Sequence, residues 1–201
     1  MLRRHLITAS LLATLGVAHA APSVGQPAPD FTLQDVSGKA VKLSDFRGKH
    51  VVLEWTNPGC PYVRKHYDSG NMPATQADAV ARGVVWLSIN STEKSSFDYR
   101  EPTKLVAWQN ERKSRPTALL MDEEGTAGKA YGARTTPHMY MVDPQGKLVY
   151  AGGIESIPSS NPDDIRKAVN YVRQGLNETL AGKPISAATT RPYGCSIKYK
   201  S

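Results

Sequence analysis

Two cysteines are the residues of this 201-residue chain best suited to redox chemistry. Cys60 lies where an apolar, β-branched run, residues 50–56, gives way to a helix that Pro61 begins. The first amides of a helix are unsatisfied donors, and the helix dipole places partial positive charge there. A thiolate at this position is stabilised, so the pKa of Cys60 is expected to fall below that of an ordinary thiol. The sequence therefore predicts that Cys60 is a nucleophile.

Cys195, the second cysteine, lies in a polar C-terminal segment directly after Gly194. A lone nucleophile that attacks a disulfide stays covalently bound to its partner until a second thiol resolves the bond. Cys195 is the candidate for that resolving thiol. The alternative is a structural Cys60–Cys195 bond, which would stabilise the fold by roughly 4–5 kcal/mol on chain-entropy grounds. Both interpretations remain open at the level of sequence.

Glu54 is an acidic residue within the predicted strand 50–56. Side chains alternate along a strand, so Val52, Glu54 and Thr56 share one face. A carboxylate in such a strand is costly to bury unless it is paired or protonated, and displaced pKa values mark working sites. We interpret Glu54 as a proton-transfer residue for Cys60, with pairing to a lysine as the alternative.

The elements that must position these residues follow from hydrophobic patterns. Strands are predicted at residues 31–36, 40–43, 50–56, 84–90, 117–122, 138–143 and 147–153. Helices are predicted from residue 61 to 81 with a break at 68–71, at 103–114, at 126–131, and from a cap at Asn161 through an apolar stripe to Leu180. The stripe comprises Ile165, Ala168, Val169, Val172, Leu176 and Leu180. This order predicts an α/β sandwich around a mixed sheet.

Residues 1–20 have the three-part pattern of a secretory signal peptide. Arg3 and Arg4 precede an apolar run, residues 6–17, and small residues lead to a predicted cleavage after Ala20. The run is short of the roughly 20 residues that a spanning helix needs, so an uncleaved anchor is the minor alternative. We therefore expect a periplasmic or secreted protein without stable membrane insertion.

The formal charge of the chain is +7, and its basic residues are scattered rather than grouped. This distribution predicts a solvated surface and no nucleic-acid partner. Export would place both cysteines in an oxidising compartment, where two thiols can pair and stay paired.

Several motifs resemble those of thioredoxin-like proteins. The segment Cys60-Pro61-Tyr62-Val63 resembles their C-x-x-C with the second cysteine replaced by valine, and Glu54 falls where thioredoxins carry a buried acid. Thr135-Thr136-Pro137 is similar to their cis-proline loop, which faces the active cysteine and receives the partner's backbone. Gly38 and residues 46–49 resemble the N-terminal part of redoxin and peroxiredoxin domains.

The resemblance covers about residues 24–153 and is closest to a redoxin, peroxiredoxin-like branch of the AhpC/TSA superfamily with a single cysteine at the first C-x-x-C position. It implies a thioredoxin-like three-layer sandwich, with a mixed central sheet flanked by helices and an N-terminal β-hairpin. The implied organisation is a redoxin domain at residues 21–184 and a tail at residues 185–201 that carries Cys195.

The activity that this resemblance implies is thiol-disulfide exchange. Its substrates would be protein or small-molecule thiols and disulfides, with a reductase partner still to be identified. Cys60, Cys195 and Glu54 would be catalytic, while Pro61, Thr136 and Pro137 would contact substrate. No cofactor and no metal are expected.

Two alternatives remain. Peroxiredoxins use the motif P-x-x-x-T-x-x-C together with a nearby arginine. In this chain Leu53 stands at the proline position, Asn57 at the threonine position and Pro137 at the arginine position. Dedicated peroxide reduction is therefore the less favoured function. The second alternative is a non-catalytic thioredoxin-fold binding protein with a permanent disulfide. His138 could act as a base or join Cys60 as a copper ligand, but such a ligand set is thin, and we interpret it as an ordinary polar residue.

Overall fold

The computed structural model describes residues 21–201, in which nine strands and five α-helices are found. The strands are β1 (Thr32–Asp35), β2 (Ala40–Lys42), β3 (Val51–Trp55), β4 (Val85–Asn90), β5 (Ala118–Met121), β6 (Thr135–Thr136), β7 (His138–Val142), β8 (Leu148–Gly152) and β9 (Cys195–Ser196). The helices are α1 (Pro61–Asp68), α2 (Asn71–Ala81), α3 (Pro102–Glu111), α4 (Thr126–Tyr131) and α5 (Tyr171–Leu180). Short 3-10 helices cover Leu43–Phe46 and Pro162–Arg166.

Seven strands form one mixed sheet in the order β2-β1-β5-β4-β3-β7-β8. The three central strands β3, β4 and β5 are parallel, while β7 pairs antiparallel with β3 and the β1–β2 hairpin extends the other edge antiparallel to β5. Strands covered on both faces need apolar residues at nearly every position, and β3 and β4 are buried throughout. The predicted N-terminal hairpin and mixed sheet are confirmed.

Two hydrophobic cores lie on opposite faces of the sheet. Trp55 from β3 packs in the first core with residues of α4, such as Tyr131. Val52, three residues earlier on β3, lies on the opposite face and packs in the second core, which also includes Tyr67 from α1 and Leu176 from α5. Helix, sheet and helix therefore form three layers, as the resemblance implied.

The predicted break between α1 and α2 is confirmed. Asp68 ends α1 and Asn71 begins α2. Gly70 between them has a φ of +76°, a left-handed conformation that favours glycine.

The prediction of one long C-terminal helix from Asn161 to Leu180 was wrong. Asn161 caps only the short 3-10 helix, and a separate α5 starts after its own cap, Asn170. The reason is a competing backbone interaction: the Val169 N–H donates to Ser156 Oγ at 2.9 Å, and its carbonyl accepts from the Ser156 N–H at 3.1 Å. These groups cannot also join a helical ladder, and Val169, expected in the apolar stripe, is 50% exposed.

The C-terminal segment packs back onto the domain. The Ala151 N–H of β8 donates to the Ala188 carbonyl at 3.0 Å, and the Thr190 N–H donates to the Ala151 carbonyl at 3.1 Å. The chain then reaches β6, where β9 adds to it antiparallel. The proposed signal peptide lies outside the described residues; between residues 21 and 201, no helix combines the length and apolarity needed to span a bilayer.

Candidate active site

The loop after β3 places Cys60 at the start of α1. The Asn57 carbonyl accepts from the Cys60 N–H at 3.1 Å, and its side-chain Oδ1 accepts from the Gly59 N–H at 2.7 Å. The same side chain donates through Nδ2 to Thr92 Oγ1 at 2.8 Å. Cys60 then serves as the N-cap residue of α1, with Pro61 as the first helical residue. The predicted position of Cys60 is thus found, and Asn57 holds it there.

Cys60 and Cys195 form a disulfide, with their Cα atoms 5.8 Å apart. This separation lies within the normal range for the bond. The Cys60 sulfur also lies 3.0 Å from the Thr136 carbonyl oxygen, and the Thr136–Pro137 peptide is cis. The structure therefore brings together the two cysteines and the proline loop that the sequence singled out. Cys60 itself is only 2% exposed, since the tail lies across it.

The tail is held beside the proline loop by strand pairing. Cys195 is opposite Thr136 and Ser196 is opposite Thr135. The Ile197 N–H extends this pairing by donating to the Arg134 carbonyl at 3.0 Å. A small cavity of about 40 Å³ remains beside the disulfide, bordered by both strands and the Asn57 loop.

Glu54 is completely buried and accepts four hydrogen bonds from uncharged donors. Tyr67 donates to Oε1 at 2.7 Å, whereas Oε2 accepts from Gln76 at 3.1 Å, Trp86 at 2.8 Å and Ser88 at 3.0 Å. Burial raises the pKa of Glu54, and these hydrogen bonds oppose the rise. Among residues 21–201, Glu54 forms no ion pair with a lysine and no hydrogen bond with Cys60. Its neutral surroundings argue against the lysine-pairing alternative.

The sequence reasoning missed a buried charged group next to the tail. Lys65 on α1 pairs with Glu155, and both side chains are almost fully buried. The Tyr193 hydroxyl donates to the same carboxylate at 3.1 Å, two residues before Cys195. Helical spacing gave no signal for it, because Lys65 is two residues from both Val63 and Tyr67 and such positions lie on different faces of a helix.

His138 is buried beside the proline loop and interacts with the backbone there. Its Nδ1 accepts from the Arg134 N–H at 3.3 Å, and burial lowers its pKa to about 3. His66 is likewise held neutral, because burial and the charge of Lys65 lower its pKa to about 3. Within the described part of the chain, no group of three or more histidine, cysteine or acidic residues could hold a metal ion.

A cysteine at a helix start, facing a cis-proline loop on a three-layer sandwich, defines a thioredoxin-like protein of the redoxin type. The chain belongs to the AhpC/TSA family, whose model matches residues 24–151. The family resemblance drawn from the sequence motifs is thereby confirmed.

Two curated relatives carry the names of the two activities considered above. The chain is 29% identical over 163 residues to the thiol-disulfide oxidoreductase ResA of Geobacillus thermodenitrificans, covering 74% of this chain and 84% of that protein. It is 32% identical over 112 residues to peroxiredoxin Bcp of Bacillus subtilis, covering 54% of this chain and 62% of that protein. Both are oxidoreductases, in agreement with the enzyme class predicted from the sequence.

Solved structures agree with the fold. An uncharacterised conserved protein from Geobacillus kaustophilus superimposes with a TM-score of 0.74 at 28% identity, covering 89% of this chain and 93% of its own. The thioredoxin domain of a thiol-disulfide oxidoreductase from Bacteroides vulgatus superimposes with a TM-score of 0.52 at 24% identity, covering 73% of this chain and 98% of its own. The thioredoxin-like fold predicted from the sequence is confirmed.

Proposed function

We propose that this protein is an exported thiol-disulfide oxidoreductase in which Cys60 is the nucleophile and Cys195 the resolving thiol. One observation carries the proposal: the only two cysteines of the chain are bonded to each other at a helix start that faces the cis-proline loop. A purely structural bond could lie anywhere in the fold, whereas this one lies where thiol exchange is favoured.

The reaction begins from the reduced protein. The Cys60 thiolate attacks one sulfur of a substrate disulfide, forming a mixed disulfide and releasing one substrate thiol. The Cys195 thiolate then attacks the Cys60 sulfur, which releases the second substrate thiol and forms the Cys60–Cys195 bond. A dithiol reductase supplies the two electrons and two protons that restore both thiols.

The remaining predicted site residues keep supporting roles in this proposal. Glu54 moves protons to and from the site, supported by its raised pKa and by its place on the sheet face beneath α1. Thr136 and Pro137 contact the substrate backbone, and Pro61 contacts it from the helix start. Protein or small-molecule disulfides are the substrates, and the signal-like residues 1–20 support export.

Substitution of the resolving thiol tests this function. We expect reduced Cys195→Ala protein, mixed with a disulfide-linked peptide dimer, to accumulate a Cys60–peptide adduct that mass spectrometry detects and that dithiothreitol removes. The wild type would release the peptide instead, and Cys60→Ser would form no adduct. A Cys195→Ala protein that forms no adduct would leave the disulfide with a structural role.

Peroxide reduction is the second candidate, favoured by the similarity to peroxiredoxin Bcp. Asn57 stands at the place of the peroxiredoxin threonine, and its side chain is engaged with Gly59 and Thr92. We therefore expect hydrogen peroxide to be consumed slowly with a thiol donor compared with disulfide exchange. Rapid peroxide turnover that requires Cys60 would reverse this order.

A further inference from the structure

We propose that residues 194–197 of the tail occupy the binding site of the substrate, and that this site selects an extended polypeptide with glycine immediately before its cysteine. The inference rests on the proposed function, since it assumes that Cys60 reacts with a partner's sulfur. It goes further by assigning a sequence preference to the partner and a displacement role to the tail.

The first argument is the backbone pairing of the tail. β9 and β6 form a two-stranded sheet of their own, outside the seven-stranded sheet, so β9 pairs with the two residues that precede Pro137. The Cys195 sulfur reaches Cys60 because its residue lies opposite Thr136. A partner cysteine that bonds to Cys60 from an extended strand would need the same backbone groups of Thr136.

The second argument is steric and concerns the residue before the cysteine. A Cβ atom at Gly194 would lie 2.0 Å from the Thr136 carbonyl oxygen, 2.7 Å from its carbon and 3.2 Å from the Pro137 nitrogen. All three are backbone atoms, so they cannot rotate away as a side chain would. Gly194 also has a φ of +140°, which side chains rarely adopt. A substrate in the same register therefore needs glycine at this position.

The third argument comes from the residues that follow the cysteine. Ser196 is exposed, so the next position is free of side-chain selection. Ile197 is partly buried and packs against the first hydrophobic core. The favoured partner sequence is therefore glycine, cysteine, any residue, then an aliphatic residue.

Shared occupancy has a consequence for catalysis. The tail and a partner strand cannot both pair with Thr136, so the tail must leave before a substrate binds. When Cys195 returns to attack the Cys60 sulfur, β9 takes back the same backbone groups. The bond exchange and the expulsion of the partner strand then occur in one step.

Selectivity can be measured on full-length protein that lacks the resolving thiol. The probes are two peptides, Tyr-Gly-Cys-Ser-Ile and Tyr-Ala-Cys-Ser-Ile, each carrying thionitrobenzoate on its cysteine. Attack of Cys60 on the peptide sulfur releases the coloured thiol and leaves a Cys60–peptide disulfide. With reduced Cys195→Ser protein, we expect the glycine peptide to react at least about tenfold faster, since a methyl group forced against backbone is disfavoured.

A second variant tests displacement by the tail. Gly194→Ala combined with Cys195→Ser should weaken β9 pairing and increase the rate with the glycine peptide. Gly38→Ala combined with Cys195→Ser is the matched control, because it makes the same change at another glycine of positive φ, between β1 and β2, and it should leave the rate unchanged. The same glycine-to-alanine change therefore has opposite effects in the peptide and in the tail. Circular dichroism checks that each variant is folded.

The outcomes separate the two proposals. Equal rates for the two peptides, or no increase with Gly194→Ala, would overturn the peptide-site inference while Cys60 still reacted with free dithiobisnitrobenzoate. Failure of Cys60 to react even with that small disulfide would overturn the proposed function and this inference together.

Discussion

At the scale of single residues, the buried acids Glu54 and Glu155 lie in opposite environments. Glu54 meets only neutral donors, whereas Glu155 pairs with Lys65 and also accepts from Tyr193. A buried carboxylate without a cation holds its proton to higher pH, and a paired one is anchored by its partner. The first arrangement suits proton exchange, and the second fixes the segment before Cys195.

The Glu54 environment predicts a specific pH dependence of stability. Because burial raises the folded-state pKa of Glu54 above 4.5, the unfolded chain loses this proton at lower pH than the folded one. Stability from this group is therefore lost as the pH rises from about 4.5 through the folded-state pKa. We expect Glu54→Gln to reduce that loss, because glutamine stays neutral. In urea unfolding, the unfolding free energy of Glu54→Gln relative to that of the wild type should therefore be higher at pH 8 than at pH 4.

Glu111→Gln is the control for this prediction, because its side chain is 74% exposed. It should leave the pH profile of the unfolding free energy unchanged. A Glu54→Gln profile parallel to that of the wild type would show that Glu54 does not hold an extra proton in the folded state.

At the scale of elements, the split C-terminal helix shows how tertiary contacts change a continuous pattern. The stripe from Ile165 to Leu180 has helical spacing, yet of its six residues only Val172 and Leu176 are buried, and both lie in α5. The segment around Ser156 binds the backbone at Val169 and interrupts the helix. A tertiary contact also determines the structure of the tail, because Cys195 and Ser196 form a strand only by pairing with β6.

Helix capping distinguishes the split arrangement from a continuous helix. Asn170 Oδ1 accepts from the Arg173 N–H at 3.0 Å, so Asn170→Ala should lower the unfolding free energy by about 1 kcal/mol. In a continuous helix the same change would fall in the interior, where alanine is the better helix former. Asn161→Ala is the matched control and should cost less, because the 3-10 helix that it caps has no buried residue. Increased stability of Asn170→Ala in guanidinium unfolding would contradict a helix start at Tyr171.

At the scale of the whole molecule, the disulfide links the first third of the chain to its last residues, across a separation of 135 positions. It joins α1 to the tail, and through β9 to the proline loop. A cross-link that spans so long a loop restricts the unfolded chain strongly. The same bond therefore affects both the global stability and the access of partners to Cys60.

Reduction should lower the unfolding free energy by roughly 4–5 kcal/mol, the value expected from loop-closure entropy. Urea unfolding with and without dithiothreitol measures the difference, and Cys195→Ser without reductant should reproduce the reduced value. The reduced protein must remain folded if it is to act in exchange. Loss of the folded state on reduction would favour the structural role of the bond.

Much of the fold and part of the site followed from local patterns. The hairpin, the central strands, the break at Gly70 and the start of α1 at Pro61 depend on nearby residues, so periodicity and turn chemistry predicted them. The position of Cys60 at a helix start was predictable for the same reason.

The amino-acid sequence by itself determined which atoms are available for exchange, two sulfurs, and that one of them lies where a strand meets a helix. Only the tertiary structure decided that Cys195 bonds to Cys60, that the tail pairs with Thr136, and that Lys65 finds Glu155. These partners are 59 to 135 residues apart in the chain. Their meeting depends on how the layers pack, which local periodicity does not encode.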